Sequence, residues 1–559
     1  METIEVKEGI DISNTPVHEA SSLVFTDARI AREVVKYLAS SPFAPTHDTR
    51  TNLLTAALTC KALRDPALDV IWESMDTLVP LLKLLPPIRL INGLYVFNEV
   101  LQDDHGHRFD LHAARVKQFT LGSDAVAPST YVQLAQFRSR PLPALRRLYC
   151  GLGAMAPEAF VHWPLFVSPN ITHIELNGFD LTDAHVIDPF LSSLPTCFKP
   201  SDSHLQHLVL CGQFQALSSI RCLARFSKLQ SLEISEKINF DTLRELGTLE
   251  FLHELKITMP SSPITTEEEM GFRHLQNLYV TGEHSSVRSL LEHISTPWLE
   301  SVTLVAFCIP VVRLIRTEVR SPTTRLRGSS RMRPAEPTFQ TESINEFPAY
   351  DWWRPCFRIL SSRWSHSLLK ISISLSPNIN SFPDPMELGL FHDIRPFVRL
   401  ESLNFNNSHF APNNDEIRAL ALACPELKDL RLSIGDSVSH STSRHAPDIE
   451  ALWALAELCP NLSFLKMGVD ALSIPPFLTT KIMSHKLCRL SLGSLPETQL
   501  STDQRMKIGR HLDRLFPWLE DVGTVTGYAA DDWKRIWNLV QVYQLVRLDD
   551  FNRREGKEA

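Results

Sequence analysis

The chain has 559 residues, 43% hydrophobic and 21% charged, a length that predicts two to four domains and an ordinary globular composition. Lys and Arg number 56 against 64 Asp and Glu, a formal charge of −8, which argues against a protein built to coat nucleic acid phosphates. With Gly at 20 and Pro at 37, collagenous, low-complexity and Gly-rich cofactor-cradling classes are disfavoured. The ten cysteines show no CxxC pair, which predicts reduced, buried thiols in an intracellular protein.

Residues 1–22 are acidic, without the basic start and apolar core of a secretory signal, and read as a disordered N-terminus. Residues 23–85 then predict a small helical bundle. Asp27 is placed to cap a first helix whose Ile30, Val34, Tyr37 and Leu38 share one face. A second helix, TNLLTAALTCKAL, carries Leu54, Ala57, Leu58 and Lys61 at helical spacing. A third is predicted to begin at Asp65 as N-cap with Pro66 in the first turn, aligning Leu68, Ile71, Trp72 and Met75.

The segment Asn52 to Pro86, NLLTAALTCKALRDPALDVIWESMDTLVPLLKLLP, resembles the F-box-like proteins abundant in fungi, with Asn52, Leu53, Leu54, Ala57, Cys60, Lys61, Leu63, Ile71 and Trp72 matching the family pattern. It departs from that pattern in having Leu23-Val24-Phe25-Thr26 where Leu-Pro is usual, and Ala62-Leu63 where a Trp commonly follows. The resemblance implies docking to a Skp-type linker carried by a cullin scaffold. The linker-binding set would be Leu53, Leu54, Ala57, Cys60, Lys61, Leu63 and Trp72. The alternative is that these apolar side chains only fill the bundle's own core.

Residues 86–141 form a linking region in this reading. The stretch from Leu78 to Phe97, which runs from the bundle into it, is interrupted by Lys83, Arg89 and Pro86-Pro87, so it predicts no membrane span. The segment DDHGHRFD, with Asp103, Asp104, His105, His107 and Asp110, reads as a polar loop; a metal site there lacks a second ligand cluster.

From residue 142 the unit L-x-x-L-x-L repeats. HLQHLVL, KLQSLEI, FLHELKI, HLQNLYV and WLESVTL start at Leu205, Leu229, Leu252, Leu275 and Leu299, spaced 24, 23, 23 and 24 residues apart. Eight further copies run from ALRRLYC at Ala144 to WLEDVGT at Trp518, thirteen in all. The x-L-x-L portion has the two-residue period of a strand, and helical segments such as DEIRALALAC and DIEALWALAELC, with Asp415 and Asp448 as candidate caps, precede Pro425 and Pro460. A helix, turn and strand at this period is an α/β leucine-rich-repeat solenoid, or horseshoe, over 142–559. It is interrupted by an Arg-, Ser- and Pro-rich insertion at about 316–348, predicted disordered. The arginines 316, 320, 325, 327, 331 and 333 there form a phosphate or acidic-partner patch, a nuclear-localisation patch, or a solvated loop. The tail beginning at Trp533 is helix-like and placed to close the solenoid.

Leucine-rich repeats commonly accompany F-boxes, so the resemblance implies an adaptor of an SCF-type ubiquitin ligase, with the repeats holding a protein substrate. The alternative is a leucine-rich interaction scaffold whose bundle is only a cap. Outward strand residues form the candidate substrate surface, chiefly Glu175, Glu233, Lys256, Tyr279 and Arg431. No nucleotide-loop, nucleophile-elbow or zinc-protease motif occurs, so no enzymatic activity, cofactor, nucleic acid or membrane partner is expected, and the location is cytoplasmic or nuclear.

Overall fold

The computed structural model describes residues 28–38, 47–59, 61–122, 125–151, 162–179, 189, 191–194, 203–212, 222–261, 268–307, 312–316, 339–343, 353–375, 393–406, 412–433, 447–470, 474, 482–493, 500–524 and 530–554. Two compact units emerge, Met1–Glu236 with Thr248–Leu252, and Lys237–Gly247 with His253–Ala559.

The first unit opens with helices α1 (Ala28–Leu38), α2 (His47–Thr59) and α3 (Lys61–Glu73). Their interior is small and tight: Ala31, Val35, Leu53, Ala57, Leu63 and Ala67 are buried, with Val70 and Ile71 packed partly against them. This differs from the expected faces. Ile30, Val34, Tyr37, Leu38, Leu54 and Leu58 point outward, because three alanines let the helices approach more closely than large side chains would permit. Helix α3 begins at Lys61, four residues before the expected cap, and carries Pro66 inside it. Asp65 instead binds Arg115 Nη2 at 2.9 Å, and Asp69 joins the same guanidinium.

The chain then enters β1 (Ser74–Met75), helix α4 (Val79–Leu82) and the antiparallel pair β2 (Ile88–Ile91) and β3 (Leu94–Phe97). The hairpin turns on Asn92 and Gly93, both at positive φ (51° and 81°), the two-residue turn whose twist matches paired strands. Helix α5 (His107–Ala113) follows a short 3-10 turn at Asp103–Gly106, so DDHGHRFD is largely helical and not a loop. Next come β4 (Gln118–Leu121), α6 (Pro128–Phe137), β5 (Arg147–Gly151), β6 (His173–Phe179), β7 (His207–Gly212) and β8 (Ser231–Lys237). Strands β1, β4, β5, β6, β7 and β8 lie in sequence as parallel neighbours. The repeat architecture therefore begins at Ser74, inside the segment read as bundle, and continues through the one read as linking region.

The second unit holds α7 (Phe240–Leu246), β9 (Glu254–Thr258), β10 (Met270–Gly271), β11 (Asn277–Glu283), α8 (His284–His293), β12 (Ile294–Ser295) and β13 (Ser301–Phe307). β14 (Val312–Arg316) and β15 (Phe339–Ser343) pair antiparallel at the borders of the Arg-rich insertion, so 339–343 is ordered strand; residues 317–338 lie outside the described residues. Then follow α9 (Trp353–Trp364), β16 (Lys370–Leu375), β17 (Ser402–Asn406), α10 (Asn414–Ala423), β18 (Asp429–Ser433), α11 (Ile449–Leu458), β19 (Phe464–Gly468), β20 (Arg489–Gly493), α12 (Thr502–Leu515), β21 (Asp521–Thr524) and α13 (Ala530–Arg554). Strands β9, β11, β13 and β16 to β21 are successive parallel neighbours, and β10 pairs with β12. This is a leucine-rich-repeat fold in each unit, and all thirteen sequence repeats coincide with strands β5–β9, β11, β13 and β16–β21.

Register between repeats is set by a recurring device. At most strand entries two consecutive N–H groups donate to one carbonyl of the preceding repeat: Gln206 and His207 to Thr172, Glu300 and Ser301 to Gln276, Leu369 and Lys370 to Glu300, Ser463 and Phe464 to Lys428. The alternate leucines point inward and are buried, as at Leu205, Leu208 and Leu210, or Leu252, Leu255 and Ile257. Helix α10 is capped by Asn413 with Glu416 in a reciprocal box, two residues ahead of the expected Asp415, whereas Asp448 caps α11 as expected.

Buried thiols form part of the column behind the strands. Cys424 Sγ donates to Phe397 O and Cys459 Sγ to Cys424 O, and burial pushes both thiols up to about 12. Cys150 and Cys356 are also buried, but Cys211, Cys222 and Cys488 are only half-buried, lying at outward or edge positions; Cys60, Cys197 and Cys308 lie outside the described residues.

In the same column His485 donates from Nε2 to Cys459 O (2.8 Å) and accepts at Nδ1 from Leu487 N–H (3.1 Å), so its neutral tautomer is fixed. Burial lowers its pKa. The unfolded chain therefore binds this proton first as pH falls, and stability is complete above the ordinary imidazole pKa of about 6.5 and declines below it. Thermal unfolding of wild type is expected to shift downward from about pH 7.5 to about pH 5.5, and a His485→Gln protein to show a smaller shift. Equal shifts would remove His485 from the linkage.

Candidate functional site

The outward residues of the repeats form continuous rows. In the first unit Thr120, Tyr149, Glu175, Val209 and Glu233 are register partners across β4 to β8. In the second, Lys256, Tyr279, Thr303, Ser372, Asn404, Arg431, Lys466 and Ser491 are partners across β9 to β20. The candidate residues thus lie in rows, but they are not gathered at one point. Glu175 and Glu233 flank Val209, Lys256 adjoins Tyr279, and Arg431 stands four strands beyond Tyr279, roughly 19 Å at the usual strand spacing.

In the first unit the row is aromatic and acidic. Tyr149 and His173 rings lie 5.2 Å apart, His173 and His207 5.7 Å apart. Glu175 sits 3.5 Å from His173 Nε2 and accepts from Asn177 Nδ2, while Cys211 Sγ reaches Glu233 Oε1 at 3.5 Å. Burial lowers the His173 pKa despite the Glu175 carboxylate beside it, and burial raises that of Tyr149. His173 and His207 are half-buried members of this cluster; their place in the outward positions of β6 and β7, beside Tyr149 and Glu175, is the signal the sequence carries for it.

The second unit is cationic at its outward row. Lys256 Nζ lies 5.0 Å from the Tyr279 ring centroid, and Asn404 Nδ2 donates to Ser372 Oγ at 3.0 Å. Arg431 makes a bidentate pair with Asp429 (2.9 and 2.8 Å), and its guanidinium lies 4.5 Å from the Phe464 ring, with that of Arg489 at 5.4 Å. Nothing in the repeat pattern singles out Phe464 and Arg489. Their alignment follows from the register Phe464↔Arg489, visible only once β19 and β20 pair.

The bundle residues divide. Leu53, Ala57 and Leu63 are inside, Leu54 is 51% exposed and Leu58 79%, Lys61 is exposed, and Cys60 lies outside the described residues. Trp72 is half-buried with its ring 4.7 Å from that of His112. The outward apolar set is Ile30, Val34, Tyr37 and Leu38 on α1, at i, i+4, i+7 and i+8, with Leu54 and Leu58 at i and i+4 on α2.

The acidic segment after β3 is neutralised within the chain. Arg138 binds Asp103 at 3.0 Å and Asp110 at 2.9 Å, and those carboxylates raise its pKa. A Cβ at Gly106 would stand 2.6 Å from Arg138 Nη2 and 2.8 Å from Phe137 Cζ, so a larger residue there would displace these side chains. No group of three or more metal-ligating side chains occurs among the described residues. No described helix is long and apolar enough to cross a membrane.

No protein-family model matches the chain, and no curated protein does. Among solved structures it is similar to a chain of the Rad7 and Elc1 complex of yeast, 17% identical over 81% of this chain and 90% of that one, with a TM-score of 0.33. An internalin of Listeria monocytogenes (12% identity, 74% and 92% covered, TM-score 0.30) is also similar. So is the leucine-rich repeat-containing protein LegL7 of Legionella pneumophila (12%, 62% and 88%, 0.30). The assignment of the fold rests on the strand registers of this chain.

Proposed function

We propose that the chain is a substrate-recognition adaptor of an SCF-type ubiquitin ligase, its N-terminal bundle docking a Skp-type linker on a cullin scaffold and its repeats holding a protein substrate. The observation that carries this reading is the outward apolar face of the bundle. Helix α2 is apolar on two sides, with Leu53 and Ala57 completing the interior and Leu54 and Leu58 left in water beside an α1 that turns Ile30, Val34, Tyr37 and Leu38 outward. Burying a fully exposed Leu or Ile recovers about 1.5–3 kcal/mol, which favours a partner with an apolar groove. The resemblance of Asn52 to Pro86 to F-box-like sequences supplies the identity of that partner. The docking set is accordingly centred on Leu54 and Leu58, with Lys61 at its rim, and Leu53, Ala57 and Leu63 supporting it from inside. Ubiquitin transfer itself belongs to partner enzymes.

The test is co-purification of the full chain with a Skp-type linker and cullin. Wild type is expected to retain the linker, and a Leu54→Asp, Leu58→Asp double variant to lose it with an unchanged melting curve, since both side chains are exposed. Retention by the variant moves the docking face elsewhere. Absence of linker from folded wild type favours a second reading, an interaction scaffold with the bundle as its cap, which is supported by the ties of α3 to the first repeats: Arg115 to Asp65 and Asp69, and Lys117 to Glu73 at 3.2 Å.

A further inference from the structure

We infer that the outward face of β18 to β20 binds an extended acidic segment of the protein partner, with carboxylates at alternate positions received by Lys466 and Arg489. This rests on the reading that the repeats hold a protein, and it specifies which chemistry they select. The outward row of the second unit, from Lys256 to Ser491, contains Lys256, Arg431 and Lys466 and no carboxylate, in a chain whose formal charge is −8. Of the acids beside these cations, Asp429 is consumed by its bidentate pair with Arg431, and Asp521, the register partner of Arg489, makes no ion pair with it.

Arg431 and Arg489 lie against the Phe464 ring, at 4.5 and 5.4 Å from its centroid. Stacking immobilises the Arg489 side chain before any ligand arrives while leaving its planar N–H fork undonated to any described residue. Lys466, one strand away and two residues further along, has no ion pair among the described residues. Strand spacing and rise separate the two cations by roughly 8 Å, close to the roughly 6.7 Å between same-face side chains of an extended chain. Glutamates at i and i+2 therefore reach both, one by a bidentate contact on Arg489 and one on the Lys466 ammonium. A nucleic acid is disfavoured, because a net-acidic protein repels a long polyanion whose charge extends beyond the local patch.

The test uses a fluorescein-labelled peptide alternating Thr and Glu over about eight residues, titrated against the full chain by anisotropy. Wild type is expected to bind it, to bind less as salt rises from about 50 to about 300 mM, and to ignore the Thr–Gln counterpart. A Lys466→Gln, Arg489→Gln protein should bind about tenfold or more weakly with an unchanged melting curve. Equal binding by that variant, no binding by wild type, equal binding of the Thr–Gln peptide, or tighter binding of a single-stranded oligonucleotide or a phosphothreonine peptide would each overturn the inference. Linker co-purification from the same preparations separates the two claims. Linker retained without peptide binding removes this inference alone, and peptide bound without linker removes the ligase reading alone.

Discussion

A Trp533→Ala protein is expected to lose about 3–5 kcal/mol of stability in the second unit, read as a lower urea midpoint. Trp533 is 2% exposed and Ile536 and Val540 are fully buried, so the first half of α13 supplies a core layer to the last repeat. The helix lies close against α12: a Cβ at Gly509 would be 3.3 Å from Leu539 Cβ and 3.4 Å from Tyr543 Cε2. Polar ties hold the same surface. Arg505 pairs with Asp532 at 2.9 Å, Asp532 accepts from Leu500 N–H at 3.0 Å, Gln544 donates to Leu519 O at 3.0 Å, and Arg547 donates to Pro517 O at 2.7 Å. Removing the indole leaves a cavity that these contacts prevent from collapsing. A Trp533→Phe protein, which refills most of that cavity, should recover most of the loss. Wild-type stability in the alanine variant would mean that α13 is an appendage and the last repeat closes itself.

The second large effect is in the bundle. Leu53→Ala is expected to cost about 2–5 kcal/mol, whereas Leu58→Ala stays within about 0.5 kcal/mol. Among the described residues the interior consists of Ala31, Val35, Leu53, Ala57, Leu63 and Ala67 with Val70 and Ile71 packed partly against them, and Leu53 is among its largest members and fully buried, so its loss leaves a cavity in a small core. Amide hydrogen exchange over 47–59 reads the difference: protection should collapse in the first variant and persist in the second. Equal protection in both would mean that the two faces of α2 are not distinguished as described.

The repeats were legible because one inward period, x-L-x-L, recurs thirteen times and is enforced by the same hydrogen-bonded register at twelve of the strand entries. Strand β4 escaped notice because Val116, Phe119 and Leu121 occupy its inward positions, the same spacing with different apolar residues. The hairpin at Asn92-Gly93 carries a strong short-range turn signal, set within a stretch whose charges and prolines speak only against a membrane span. The bundle faces were misread for a physical reason. Periodicity weights Ile30, Val34, Tyr37 and Leu38 above Ala31, but packing chose the alanine side, since close approach of backbones there outweighs burial of bulk. The candidate site was legible as a row and not as a cluster, because which outward residues meet depends on lateral register: Tyr149 with His173, or Phe464 with Arg489, lie far apart in the chain and join only through the sheet.

The paired donation of two N–H groups to one carbonyl also separates the length of a repeat from its alignment. Ser301 follows Asn277 by 24 residues and Lys370 follows Ser301 by 69, yet both junctions have the same two bonds and the same side-chain row. Chain length is thus absorbed entirely between one strand's exit and the next strand's entry. A reporter grafted into the 317–338 interval is therefore expected to leave both strand registers and the outward side-chain row undisturbed.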